Sequence, residues 1–179
     1  MEAIVFTVLA SGFRPRSALE AGDSGDVRLD KIVRLIRESA YSIHDLSAVE
    51  LDCLNQLPRF NMPFELGLAI GLKKGASPPL RHSFLEHARY TSQKCLSDIS
   101  GQDAQAHQGE SRNVISIVRN WLRTEGRRSA LPGQAIIDRE FRSFRNALPA
   151  MCDRAGLDRE SLPFIEMMAL ATTWLKQAS

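Results

Sequence analysis

AIVFTVL, residues 3–9, is a continuous apolar run rich in β-branched side chains. Such a run fits a strand buried on both faces, and that reading sets the fold class. The segment that follows, SGFRPRSALEAGDSGDV, is rich in Gly, Ser, Arg and Asp and reads as a long loop. Residues 28–39, RLDKIVRLIRES, then place Leu29, Ile32, Val33 and Ile36 on one face at helical spacing. YSIHDLS, residues 41–47, reads as a second, short strand that ends in polar residues. The loop ELDCLNQLPRFN leads into a helix expected from about Met62 to Lys74, with Pro63 suited to its first turn. Strand, helix, strand, helix favours an α/β domain with a parallel sheet.

The middle of the chain is punctuated more weakly. GASPP, residues 75–79, is a break, and HSFLEHA after it reads as a third strand. TSQKCLSDIS, residues 91–100, has the look of a short helix ended by Gly101, and QDAQAH, residues 102–107, of an edge strand or a loop. From residue 111 the pattern is helical throughout. Val114, Ile117, Val118, Trp121 and Leu122 make one stripe, and Ile137, Phe141, Phe144 and Leu148 a second. Phe164, Met167, Met168, Ala171, Trp174 and Leu175 make a third. The expected organisation is an α/β domain over residues 1–110 and a helical extension over 111–179 packed on it.

The chain has 179 residues, enough for one domain of ordinary size with a full core. Its 44% apolar and 25% charged content is ordinary for a globular protein. No apolar run approaches the roughly 20 residues that span a bilayer, so no membrane partner is expected. MEAIVFTVLASGF has an acidic second residue and no basic segment, which favours a first strand over a signal peptide. Three widely spaced cysteines, Cys53, Cys95 and Cys152, point to reduced thiols and a cytoplasmic location. They also argue against a disulfide framework or a zinc site. His82, His87 and His107 show no ligand spacing, so neither a metal nor a cofactor is expected.

In a parallel α/β sheet, ligands bind at the carboxyl ends of the strands. Three polar clusters are expected there: Ser11, Arg14 and Arg16 after the first strand, His44, Asp45 and Ser47 after the second, and Asn61 with Glu65 at the start of the next helix. Glu65 is the odd residue of PRFNMPFELGLAIG, residues 58–71. Phe64, Leu66, Leu68, Ala69 and Ile70 make this stretch read as a buried helix. An ionised carboxylate is costly to bury unless it is paired or used.

The pair SIHDLS and RFNMPFELGLAIG resembles the DLS/DLT and NPNVxxELGxA pattern of the nucleoside deoxyribosyltransferase-like superfamily, which is structurally close to the TIR domains that cleave NAD. The resemblance covers roughly residues 3–74. The whole chain also resembles a group of uncharacterised bacterial proteins carrying FxPRxALE, IHDxS and PRFNMPxELG. The superfamily resemblance implies a flavodoxin-like parallel sheet with flanking helices, here with a C-terminal helical extension, and an N-glycosidic bond as target. It assigns Glu65 as nucleophile at the anomeric carbon, Asp45 to the pocket, and Asn61 to a ribose or carboxylate contact. Oxocarbenium character at that carbon is what a nearby carboxylate stabilises or traps. His44 or Asp45 can protonate the leaving base or orient Glu65, and Ser47 stands beside them. Arg14 and Arg16 can hold a phosphate, which favours a nucleotide or NAD as ligand. By analogy with the superfamily, a homo-oligomer is also expected. The chain departs from the pattern in its first loop, in the longer insert AVELDCLNQLPR, and in its helical tail.

Each residue also has a plainer reading. Glu65 can pair with Arg59 or Arg14, Asp45 can cap a turn, and His44 can be a satisfied core histidine. Arg14 and Arg16 can be ordinary loop arginines, Cys95 packed on its helix, and the aromatic and Met stripes core. Eight arginines, at 112, 119, 123, 127, 128, 139, 142 and 145, make residues 112–145 basic. No DNA-binding motif accompanies them, and a solvated helical face is the expectation over nucleic acid. The lead expectation is an enzyme of N-glycosidic bonds. Its rivals are a non-catalytic nucleotide-binding module with a signalling tail and a ligand-free scaffold.

Overall fold

The computed structural model describes residues 1–20, 27–49, 60–73, 81–99, 104–126 and 130–178. Cys53, Arg59, Arg127, Arg128, Gly101 and the expected break at 75–79 lie outside them, as does the side chain of Cys95. The described residues form seven α-helices and a three-stranded parallel sheet, a mixed α/β architecture that is mostly helical. The chain divides into two compact units, Met1–Asp23 with Val114–Ser179, and Ser24–Asn113. No described helix is long and apolar enough to cross a membrane.

The first unit corrects the reading of AIVFTVL. Residues Glu2–Ala10 are a helix, α1, not a strand. Ala3, Val5, Phe6, Thr7 and Val8 are buried within it. A helix that is apolar all round is a buried helix, and tertiary burial overrides the β preference of Ile and Val. Its end is closed by Gly12 at φ 73. Gly12 N donates to the Leu9 carbonyl at 2.8 Å and Phe13 N to the Val8 carbonyl at 3.0 Å, the paired bonds of a Schellman cap. At the other end Glu2 accepts from Arg159 at 2.6 Å and pairs with Arg145 at 3.6 Å.

Three further helices complete this unit: α5 (Ser111–Glu125), which begins in the other unit, α6 (Gln134–Ala155) and α7 (Phe164–Ala178). The second stripe behaves as expected, with Ile137, Phe141, Phe144 and Leu148 all buried. In the first and third stripes Val114, Val118, Leu122, Phe164, Met167 and Ala171 are buried, and Ile115 joins them. The Phe6 ring stacks on Phe144 at 5.3 Å and tilts on Phe141 at 5.4 Å. Val5, Phe164 and Met167 form an adjoining cluster. Cys152 is a free, buried thiol. Gly126 is required by space: a Cβ there would meet the Phe13 ring at 2.7 Å.

Ser11, at the end of α1, is 2% exposed and its hydroxyl has no hydrogen-bond partner among the described residues. An orphaned buried hydroxyl costs free energy. Ser11→Ala is therefore expected to be neutral or to stabilise the fold by about 1 kcal/mol in urea unfolding. A loss of that size would instead show that the hydroxyl is bonded in solution.

The second unit runs α2 (Arg28–Glu38), β1 (Tyr41–Asp45), α3 (Asn61–Lys73), β2 (Arg81–Glu86), α4 (Thr91–Cys95) and β3 (Gln105–Ala106). The strand order is β1-β2-β3, all parallel. Register pairs Tyr41 with Arg81 through Asp45 with Leu85, and then Leu85 with Gln105 and Glu86 with Ala106. All three carboxyl ends therefore reach one edge. Helix α3 packs on β1 and β2, and α2 packs on α3. Leu46, Leu66 and Phe84 form the core between them, with Met62 and Ile70 against it. Leu66 and Ala69 are buried as expected, but Phe64 is 56% exposed. It falls on the helix face opposite the sheet.

Candidate functional site

The carboxyl edge of β1, β2 and β3 gathers polar side chains from three strand ends. At the end of β1, the Asp45 Oδ1 accepts the Ser47 backbone N–H at 3.1 Å and the Ser47 hydroxyl at 2.6 Å. This is the local turn that an Asp two residues before a Ser forms readily, and a short 3₁₀ turn, Ser47–Val49, follows it. The Ser47 Oγ also lies 2.7 Å from Nε2 of His107, which itself lies 3.5 Å from Asp45 Oδ1.

His107 follows β3 directly and is held by backbone on both sides. Its N–H donates to the Glu86 carbonyl at 3.0 Å, and Gln108 N donates to the His87 carbonyl at 2.8 Å. Its own carbonyl accepts from Glu110 N at 3.0 Å and Asn113 Nδ2 at 3.2 Å. The turn between has Gln108 and Gly109 at φ 57 and 75. Gly109 is needed twice, because a Cβ on it would also meet the His87 ring at 3.2 Å.

The middle strand contributes Glu86, which is 3% exposed. Its carboxylate accepts from Tyr90 N at 2.8 Å, Ser92 N at 3.0 Å and Ser92 Oγ at 2.8 Å. Those bonds satisfy the N-terminal donors of α4, so Glu86 holds the loop in place. His87 meets the His107 ring edge-on at 6.0 Å between centroids.

The wiring of His107 defines what Ser47 can do. Gly109 N donates to Nδ1 at 3.0 Å, so Nδ1 carries the lone pair and Nε2 the proton. Ser47 spends its own proton on Asp45 and receives one from His107. Asp, His and Ser are all present, yet the bonds run opposite to those that activate a serine nucleophile.

Of the residues singled out from the sequence, Asp45 and Ser47 are thus brought together. His44, one position back, is 5% exposed and faces away from them into the core, with Ser42 Oγ 3.1 Å from its Nε2. Burial first, and then His82, lower its pKa from 6.5 to about 4. His44 is therefore neutral near pH 7 and has no proton to give as an acid. Asn61 is exposed at the first position of α3. Glu65, one turn on, is half-buried, and no hydrogen bond joins it to Asp45, His44 or Ser47 among the described residues. Burial raises its carboxyl pKa, and Arg28 on α2 partly offsets that. Among the described residues the cation near Glu65 is Arg28; Arg14 belongs to the other unit, and Arg59 lies outside the described residues. Ser11, Arg14 and Arg16 belong to the first unit and follow a helix, so the rule for strand ends does not place them at the sheet edge. Arg16 Nε pairs with Glu20 at 2.7 Å.

Glu86 is absent from the residues singled out in the sequence, and His87 and His107 enter there only as histidines without metal-ligand spacing. The available signal was the HSFLEHA strand ending in a carboxylate and a histidine, and a histidine closing QDAQAH. A shallow apolar depression of about 380 Å³ lies along α3, lined by Phe64, Gly67, Leu68, Gly71 and Leu72. No charged side chain lines it, and the polar chemistry belongs to the strand edge. No group of side chains suited to hold a metal occurs among the described residues.

His44 supplies a pH prediction. Between pH 6.5 and about 4 the unfolded chain binds a proton that the folded chain refuses. Stability therefore falls as pH falls through that window, by roughly 3 kcal/mol in all. Urea unfolding at pH 7 and pH 4.5 is expected to show that slope in the wild type and a smaller one in His44→Gln. Equal slopes would mean that His44 titrates normally in the folded state.

The comparisons with known proteins leave this geometry to speak for itself: no protein-family model, no curated protein and no solved structure matches the chain.

Proposed function

We propose that the Ser24–Asn113 unit hydrolyses or transfers at the N-glycosidic bond of a nucleotide or NAD. In this reading Glu65 traps or stabilises the electron-poor anomeric carbon, and Asp45 holds a ligand hydroxyl or assists the leaving base. The observation that carries it is Glu65 itself. It is a half-buried carboxylate between the apolar residues Phe64 and Leu66, made harder to ionise by burial and without a hydrogen-bond partner among the described residues. A carboxylate kept from full solvation is suited to meet developing positive charge. A flavodoxin-like arrangement, a cytoplasmic location and a homo-oligomer belong to the same proposal.

The second reading is a module that binds the nucleotide without turnover. The Asp45 oxygen engaged by Ser47 and His107 favours it, because that oxygen, Oδ1, is already committed to holding the edge together. Incubation of the purified protein with NAD and a panel of nucleotides and deoxynucleotides, with free base followed by chromatography, separates the two. Base release supports the enzyme. Saturable binding without release supports the module.

A further inference from the structure

The geometry points to His107 and Ser47 as positioning residues that clamp Asp45 across the sheet edge and leave its second oxygen, Oδ2, as the acceptor offered to a hydroxylated ligand. This inference rests on the reading of that edge as the ligand site. A single directed chain supports it. Gly109 N–H donates to His107 Nδ1 at 3.0 Å, His107 Nε2 donates to Ser47 Oγ at 2.7 Å, and Ser47 Oγ donates to Asp45 Oδ1 at 2.6 Å.

Two independent constraints give the same direction. The backbone N–H of Gly109 cannot accept, so it fixes the proton of His107 on Nε2. The Asp45 carboxylate cannot donate, so it takes the single proton of Ser47 and leaves that oxygen to accept. The chain is anchored at both ends: the His107 backbone is bonded to Glu86, and Asp45 ends a paired strand. His107 is 6% exposed, whereas the Asp45 side chain is 33% exposed. Asp45 Oδ2 has no partner among the described residues. The buried end of the chain is thus saturated, and the exposed end carries one open acceptor. An acceptor so placed selects ligands that bring a donor, a sugar hydroxyl or an amine, over those that bring another anion.

Two variants of His107 separate this role from a purely structural one. Gln places an amide N–H near the position of Nε2 and can still donate to Ser47. Asn places its oxygen near Nδ1, keeps the Gly109 bond and loses Ser47. In the full chain labelled with ¹⁵N, long-range proton–nitrogen spectra are expected to show His107 protonated at Nε2 and unprotonated at Nδ1. With the nucleotide found to release base, His107→Asn and Ser47→Ala are expected to lose about tenfold in kcat/KM. His107→Gln is expected to stay within about threefold of the wild type. A proton on Nδ1 would overturn the proposal, because Ser47 would then donate to His107. So would the reverse ranking, with Asn active and Gln inactive, which belongs to a residue that only anchors the turn. The tautomer is read without any substrate, so a chain that releases no base tests the proposed activity separately from this wiring.

Discussion

Glu65→Gln is expected to lower base release by about a thousandfold or more while leaving the protein at least as stable at pH 7. The first half follows from the proposed chemistry, since an amide can neither attack nor balance a developing cation as a carboxylate does. The second half follows from the environment of Glu65. Burial makes the ionised carboxyl harder to hold, and the attraction of Arg28 offsets this only in part. The folded state therefore binds the Glu65 proton more tightly than the unfolded state does. At pH 7 the folded chain bears the full cost of ionising it, and that cost fades as pH falls. A neutral isostere removes the cost. A structural ion pair with Arg28 makes the opposite prediction, a loss of stability with activity retained. Chemical unfolding and base release, measured on the same pair of proteins, decide between them. Retained base release in the variant would remove Glu65 from the chemistry altogether.

Phe6→Ala is expected to cost about 3–5 kcal/mol of unfolding free energy. Phe6 has no exposed surface and contacts two aromatic rings of α6, while Phe144 in turn faces Trp174 at 6.2 Å. Truncation leaves a cavity bordered by the Phe141 and Phe144 rings of α6, with Trp174 of α7 behind them, and it cannot close without moving those helices. Against a typical total of about 5–15 kcal/mol, that is a large fraction. Denaturant unfolding monitored by tryptophan fluorescence reads it. A cost below about 1 kcal/mol would show that α1 does not dock on α6 and α7.

The same residue shows where the sequence could mislead. Residues 3–9 are apolar at every position except Thr7, so neither a period of two nor one of 3.6 is visible. Composition then favoured a strand. The deciding signal lay outside the run, in Gly12, which ends a helix far more naturally than it follows a buried strand. The stripe of Ile137, Phe141, Phe144 and Leu148 was legible because its spacing fits only a helix. YSIHDLS was legible as a short segment between a helical stripe and a loop that ends in the polar pair Asp45 and Ser47. The partly legible site has a similar cause. Asp45 and Ser47 are two residues apart and declare their turn locally. Their partner His107 is 60 residues from Ser47, after a strand of only two residues. Nothing near a lone histidine announces such a distant bond. Phe64 reads as apolar and therefore buried, but an apolar residue at a single position does not say which side of a helix meets the sheet.

The discontinuity of the first unit has a consequence for the order in which the chain matures on the ribosome. Helix α1 is made well before α6 and α7, which carry the aromatic rings it packs against. The contiguous Ser24–Asn113 segment can close as soon as it emerges. Throughout that interval Val5, Phe6 and Val8 have no native partner to cover them. Until those helices follow, the nascent chain thus carries an adhesive apolar helix, and this helix is the natural point of capture for a chaperone or of misassembly between chains.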